Sequence, residues 1–405
     1  MEIKLLDIIT RSIQNTGLNL YEVPCSLHWL AKISIVCFLG TYILQLIALV
    51  MAKDDSERLF ECFSVISFCG MGILKLVSFR YSNKHWNFLL NQVSKLENEQ
   101  INDDEDSIGI EYESDEEEEN TVIFKRHIKE YTAKFNKTSS ILSKIYWFTA
   151  FVFVVSPFVE YFLRRFRGFE DIDLPHVLPG WSPLDRLSFV GYLLTVVCEI
   201  VAAIYCVFVH VAFDLTAVGI MTFSCGQYSL LRNYSELIGG KSMKLNICKK
   251  RDIRAHFRIT KCHRIHILLN RSISTLDSLL KTMLGVYFFV ATLTLCSVAL
   301  RLKTEIMSVT ELVTLLQYMC ATLTQLFLYC SYGNNVLYES SVGVGQGPFC
   351  AAYWCLSPKL RHELLLLGIC MMQTRRLHAG PFNSLDLPSF VQIVRAAYSY
   401  YAVLI

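Results

Sequence analysis

The feature that most constrains this chain is a set of apolar runs long enough to cross a lipid bilayer. A helix needs about 20 mostly apolar residues to traverse the hydrocarbon layer, and inside it must satisfy its backbone internally. Runs of that length occur at Leu30–Ala52, Leu59–Phe79, Ile145–Leu163, Leu187–Phe213, Met283–Leu300 and Val309–Tyr332. A seventh, Leu387–Ile405, carries one interior charge, Arg395. Between the sixth and seventh, Leu364–Met372 is apolar over only nine residues, so it reads as a helix buried in protein on one side of the membrane. Composition agrees: 53% of residues are apolar and 18% charged, against about 45–50% and about 25% in soluble domains. The expected fold is an all-α membrane protein with seven transmembrane helices.

Lys and Arg in the loops give the orientation. With the N-terminus inside, 25 of them fall on the cytoplasmic side and 8 on the other. This predicts a cytoplasmic N-terminus, an extracellular C-terminus and a cytoplasmic helix before the last span. The sequons at Asn136, Asn233 and Asn270 then all lie in cytoplasmic loops, out of reach of glycosylation. None of the 15 cysteines falls in an outer loop, so no disulfide framework is expected. Met1–Gln14 contains Glu2 and Asp7 and no apolar core, unlike a cleaved signal peptide.

Glu97–Glu119 is acidic and poor in apolar residues, and reads as a disordered cytoplasmic loop without the alternating ligands of a calcium loop. Cys248, Cys262, His263 and His266 fit no standard zinc spacing, and Lys249–Arg271 reads instead as a basic helix extending into the cytoplasm. The loop Arg164–Asp185 holds Pro175, Pro179 and Pro183 beside Trp181, which forbids a helix and favours a turn-rich cap. Such a cap either lids a pocket or merely connects two spans.

Catalytic signatures are absent. Gly343, Gly345 and Gly347 have no Lys after them, and neither GxSxG nor HExxH occurs, so no catalytic residue, cofactor or metal is expected. The net charge of +2 points to no nucleic-acid partner. Ionisable residues within the spans are Lys32, Lys75, Glu160, Glu199, His210, Glu311 and Arg395. Their scatter over six helices, with no relay spacing, argues against a proton-coupled transporter.

The last helix is the most informative segment. At 100° per residue, Ser389, Gln392, Ala396, Ser399 and Val403 share an arc of about 80°. A small, polar stripe without charge lines water or packs closely against another helix, and Ser and Ala suit both. Gln392 fits packing less well, because its amide needs a partner.

The C-terminal third resembles an insect odorant receptor. The resemblance begins at Cys330-Ser-Tyr-Gly-Asn334 and continues through Ser340, Val344, Phe349, Trp354 and Arg361-x-x-Leu364. It runs on through Gln373, Leu377-x-Ala379-Gly380-x-Phe382, Leu385, Leu387, Phe390 and Ile393 to Arg395-Ala-Ala-Tyr398-Ser-Tyr400. Lys75 and the outer loop Leu174-Pro175…Gly180-Trp181-Ser-Pro183-Leu-Asp185 also fit the family. Ser340-Ser341-Val342-Gly343, where acids are common, and the run Gly343–Pro348 depart from it on the cytoplasmic side.

The resemblance implies an odorant-gated, non-selective cation channel of four subunits in the plasma membrane of olfactory neuron dendrites. A divergent tuning subunit pairs in it with a shared co-receptor subunit. It implies a cytoplasmic segment over 1–29 and a six-helix ligand-binding region over 30–333, with the acidic loop at 97–119. An anchor region over 334–382 and a pore-lining helix over 383–405 follow. Val403 occupies the place of a hydrophobic gate residue, beside Ser389, Gln392, Ala396 and Ser399 along the pore. For a small, volatile, apolar ligand, the outer halves of the middle spans offer Phe63, Phe158, Tyr192, Gln317 and Tyr318 in one layer. A G-protein-coupled receptor, the alternative with seven spans, differs in its outer N-terminus, outer-face disulfide and N-P-x-x-Y-like last span. A gustatory-type receptor differs in its closing motif.

Overall fold

The computed structural model describes residues 4–18, 28–53, 56–102, 114–168, 174–181, 188–240, 248–304 and 308–404. In chain order the helices are α1 (Leu5–Gln14), α2 (His28–Met51), α3 (Ser56–Tyr81), α4 (Asn83–Asn102), α5 (Ser114–Phe166) and α6 (Phe189–Glu236). They continue as α7 (Lys249–Thr304), α8 (Val309–Tyr338), α9 (Val344–Cys350), α10 (Pro358–Met371) and α11 (Leu387–Leu404). A wide π turn, Glu339–Gly343, joins α8 to α9. Two-residue strands β1 (His378–Ala379) and β2 (Asn383–Ser384) pair antiparallel just before α11.

Among the described residues, six helices are long and apolar enough to cross a membrane: α2, α3, α5, α6, α7 and α8. The seventh expected span, α11, is a continuous helix of 18 residues, about 27 Å long at 1.5 Å per residue. Gln392, Arg395 and its tyrosines interrupt its apolar run. Exposed Ile, Val, Leu and Trp29 cover α2, as expected of a helix facing lipid.

Three helices far outrun the spans expected for them. α5, α6 and α7 contain 53, 48 and 56 residues, roughly 70–85 Å each against a hydrocarbon layer of about 30 Å. The reason is an apolar stripe that does not stop at the membrane. Along α7, Ala255, Ile259, Cys262, His266, Leu269, Ile273, Leu276, Leu280 and Met283 are all buried. Their alternating spacing of four and three is that of a helix buried along one seam. The expected basic helix 249–271 is therefore the first half of α7. α6 runs through the middle, packed against α1, α2, α3, α5, α7, α8 and α9.

Two sequence expectations change here. The acidic stretch is helical at both ends, because α4 reaches Asn102 and α5 begins at Ser114. Glu97 is buried and accepts the Tyr131 hydroxyl at 2.8 Å. Acidic residues at the start of α5 suit the positive end of its dipole. The remaining acids of the stretch, Asp103–Asp106, Glu111 and Glu113, lie outside the described residues, as do Cys25, Pro183 and Asp185. The segment before the first span also contains a helix that periodicity over so short a stretch did not single out: α1 buries Leu5, Leu6, Ile9 and Ile13 against α6.

The connection into α11 is a tight clamp. Gly380, with φ +74°, turns the chain between the two strands, and its N–H donates to the Lys281 carbonyl at 2.7 Å. A Cβ on Gly285 of α7 would stand 2.6 Å from the Gly380 Cα, so both positions require glycine for this approach. The departure at Gly343–Pro348 is likewise a packing feature. A Cβ on Gly347 would meet Ser235 Oγ at 2.0 Å.

Candidate functional site

At the end of the bundle opposite the long helical extensions lies a cavity of about 340 Å³, within the usual range of about 300–1,000 Å³ for small-molecule sites. Its walls come from five helices: Ser64, Val65, Phe68 and Cys69 of α3; Tyr146, Thr149, Phe153 and Ser156 of α5; Cys206 and Val207 of α6; Arg301 of α7; Thr314, Leu315 and Tyr318 of α8. Pro157 also faces it, and a helix tolerates proline where it lines a cavity. Most of the wall is apolar. Its hydroxyls are largely committed to internal bonds: Thr149 donates to the Ile145 carbonyl at 2.8 Å and Tyr318 to the Ser64 carbonyl at 3.3 Å.

The proline-rich loop roofs this cavity. His176, Val177, Leu178 and Pro179 all face into it. Buried Glu199 of α6 holds the loop down, accepting the N–H groups of Val177 at 2.9 Å and Leu178 at 3.3 Å while His176 Nδ1 lies at 3.1 Å. The Trp181 N–H donates to the Leu44 carbonyl at 3.2 Å, tying the loop to α2 as well. At the rim, Arg164 pairs with Glu160 and lies 3.6 Å from Glu311.

Beneath the floor lies a buried polar cluster. Lys75 Nζ and Asp214 Oδ1 are 2.5 Å apart, and both side chains are 2% exposed. Asp214 also accepts from Tyr146, from Tyr329 at 2.6 Å and from Gln325 at 2.8 Å. Lys75 has only donors, so His210 Nδ1, 2.9 Å away, must accept. Its Nε2–H is then free to donate to the Phe68 carbonyl at 3.1 Å, and the imidazole is neutral. The ionisable residues that looked scattered therefore meet. Lys75 and His210 join Asp214, Glu160 and Glu311 share Arg164, and Glu199 pins the roof. Lys32 and Arg395 remain exposed.

Of the residues expected to bind ligand, Tyr318 lines the cavity. Gln317 stands behind the wall and donates to the Thr149 hydroxyl at 3.1 Å. Tyr192 stands behind the roof, donating to the Pro175 carbonyl at 2.8 Å with its ring edge-on to His176. Phe158 packs partly buried against the Phe38–Val65–Tyr205 cluster, and Phe63 is half-buried. Neither is in the cavity wall. Sequence reasoning missed Tyr146, Phe68 and Thr149; only the prolines of the roof signalled the cavity's place.

On α11, Ser389, Ile393 and Ala397 are buried, Ala396 is half-buried, and Gln392 and Ser399 are exposed. Val403 lies on the same helix, but its side chain is outside the described residues. Asp386 caps the helix by accepting the Ser389 N–H at 2.9 Å. Burial alone would raise the Asp386 carboxyl, but hydrogen bonds from Ser384 and Ser389 outweigh it and hold the group below its ordinary value. α11 packs on α7 and α8, where Phe390 meets Phe327 edge-on at 5.6 Å.

Comparison with known proteins adds the following. A family model described as 7tm Odorant receptor matches residues 55–398. Odorant receptor 82a of Drosophila melanogaster is 22% identical over 356 residues, covering 86% of this chain and 84% of that protein. Odorant receptor 22c of the same species is 33% identical over 118 residues, 29% of each chain. Among solved structures, the insect olfactory receptor OR5 from Machilis hrabei in complex with eugenol superposes with a TM-score of 0.77 at 14% identity, over 98% of this chain and 97% of that one. The structure of the same receptor described without that ligand gives a TM-score of 0.78. That likeness is one of fold.

Proposed function

The chain belongs to the 7tm odorant receptor family, a family of receptors and channels rather than enzymes, and on that premise we propose that it is the ligand-binding subunit of an odorant-gated, non-selective cation channel. Its partners are a co-receptor subunit, together forming a hetero-tetramer, and the surrounding lipid. Its place is the plasma membrane of olfactory neuron dendrites, with the N-terminus inside and the C-terminus outside. The observation that carries this reading is the roofed cavity: it is mostly apolar, lined by five helices and the chain's own loop, and of a size suited to a small volatile molecule. The matching family model gives no support to a G-protein-coupled or gustatory-type receptor.

Tyr318 contacts the ligand in this reading, Gln317 sets the Thr149 hydroxyl, and Tyr192 supports the roof. Phe63 and Phe158 shape the helices behind. The open face of α11, with Gln392 and Ser399 and with Val403 in line, faces the pore, and Ala396 stands at its edge. Ser389 of the expected stripe packs against the bundle instead, and 334–382 joins the subunits below the pore. A ring of apolar side chains at Val403 closes a narrow pore by dewetting. Currents recorded with the co-receptor test both halves. Tyr318→Ala should reorder the odorants that activate the channel, and Val403→Ser should raise the basal current where Leu404→Ser does not. Unchanged odorant ranking together with an unchanged basal current would remove the reading.

A further inference from the structure

One saturated polar cluster joins the floor of the cavity to α11. An ionised carboxylate offers about four acceptor positions. Asp214 of α6 fills four from three other helices: Lys75 of α3 and Tyr329 of α8 on Oδ1, Tyr146 of α5 and Gln325 of α8 on Oδ2. Stability alone is a poor reason for such a cluster, because apolar residues of similar volume often replace a buried ion pair without loss. Charges inside a membrane span more often mark function.

Its placement supplies the reason. Tyr146 belongs to the cavity wall, and so does Phe68, whose ring stacks on His210 at 4.3 Å with 6° between the planes. Gln325 and Tyr329 lie on α8, and Phe327 between them packs against Phe390 of α11. The path from cavity to pore helix thus runs wall, carboxylate, α8, α11, with one buried acceptor in the middle.

We propose that the Asp214 cluster is the gating relay, with Tyr146 and Tyr329 as positioning residues on its two sides. A ligand that displaces the Tyr146 ring removes one donor from a carboxylate whose side chain is 2% exposed. A buried acceptor left short is costly, so Gln325 and Tyr329 re-aim to cover it, and α8 shifts against α11. The inference rests on the reading of the cavity as the ligand site and α11 as the pore wall.

The test is a set of dose–response curves with the co-receptor present, for an odorant active on the wild type, each normalised to surface receptor. Tyr329 is not in the cavity wall, so Tyr329→Phe should leave odorant ranking unchanged. It should change the maximal evoked current per surface receptor by roughly threefold to tenfold, the equivalent of one hydrogen bond. Tyr146→Phe should move it too, and the double variant should change it by less than the product of the singles, because both vacate the same carboxylate. If Tyr329→Phe does not reach the surface, Gln325→Met is read in the same way. Unmoved maximal currents, or singles that simply multiply, overturn the relay while leaving the ligand site intact. A wild type silent to every odorant in the presence of co-receptor overturns the reading beneath it as well.

Discussion

The cavity is finished within one chain, whereas α11 is not. Five helices and a loop of the same chain line the cavity, and Glu199 holds its roof in place. α11 buries Ser389, Ile393 and Ala397 on one side but leaves Gln392, Arg395, Tyr398 and Ser399 exposed on the other. An apolar pocket with its polar groups already paired is a complete recognition device. A helix with an amide, a guanidinium and hydroxyls on an open face near membrane depth has its surroundings still to come, from water and from other chains. On the function proposed above, recognition belongs to this subunit and conduction to the assembly.

The contrast breaks most severely at the base of the cavity. Lys75→Met leaves Asp214 charged, buried and short of its cation, a change that costs about 3–5 kcal/mol. Surface labelling should show most of the receptor lost, and Lys75→Met combined with Asp214→Asn should recover a large part of it. Failure of the double variant to recover would mean that the pair does more than neutralise charge. The roof offers a milder cut. Glu199→Ala releases three groups of the loop at once, so half-maximal odorant concentration should rise by roughly tenfold to thirtyfold, about 1.4–2 kcal/mol. The maximal current per surface receptor should hold. A change in basal current instead would show that the roof is not confined to recognition.

The smallest effect concerns the start of α11. Asp386→Ala removes the cap and should destabilise the helix by about 1 kcal/mol, seen as a lower melting temperature of the detergent-solubilised receptor. The carboxyl sits below its ordinary value in the folded chain, so its contribution is fully present above the unfolded value of about 3.9 and disappears as pH falls through the folded one. The gap between wild type and variant should therefore be constant near neutral pH and narrow only below about pH 4.

Much of the architecture was legible because lipid imposes a simple length rule. The six apolar helices and a short helix near 364–372 follow from runs of apolar residues; α10 contains all but the last residue of that run, but it is buried on one side only, with Leu365, Leu366 and Ile369 exposed on the other. The long continuations of α5, α6 and α7 were less visible, since charged surface residues dilute the stripe once a helix leaves the bilayer. The cavity was not legible. It depends on where five helices stop touching, and the layer containing Phe63 and Phe158 looked the same in sequence as the layer that lines it. The Asp214 cluster was hidden for two reasons. Its partners lie 139 residues apart for Lys75 and 68 for Tyr146. Asp214 also stands one residue beyond the apolar run ending at Phe213, and so was not counted among the charges within the spans.

The division of labour is tested most directly by measuring binding and current on the same chain, with and without the co-receptor. Purified alone in detergent or nanodiscs, the chain should bind an activating odorant with an affinity close to that in the assembly, and Tyr318→Ala should weaken that binding. Expressed alone in cells, it should pass little or no odorant-evoked current, and adding the co-receptor should restore it. Robust evoked current from this chain by itself, or odorant binding that appears only in the presence of the co-receptor, would contradict a cavity completed within one subunit and a pore completed between several.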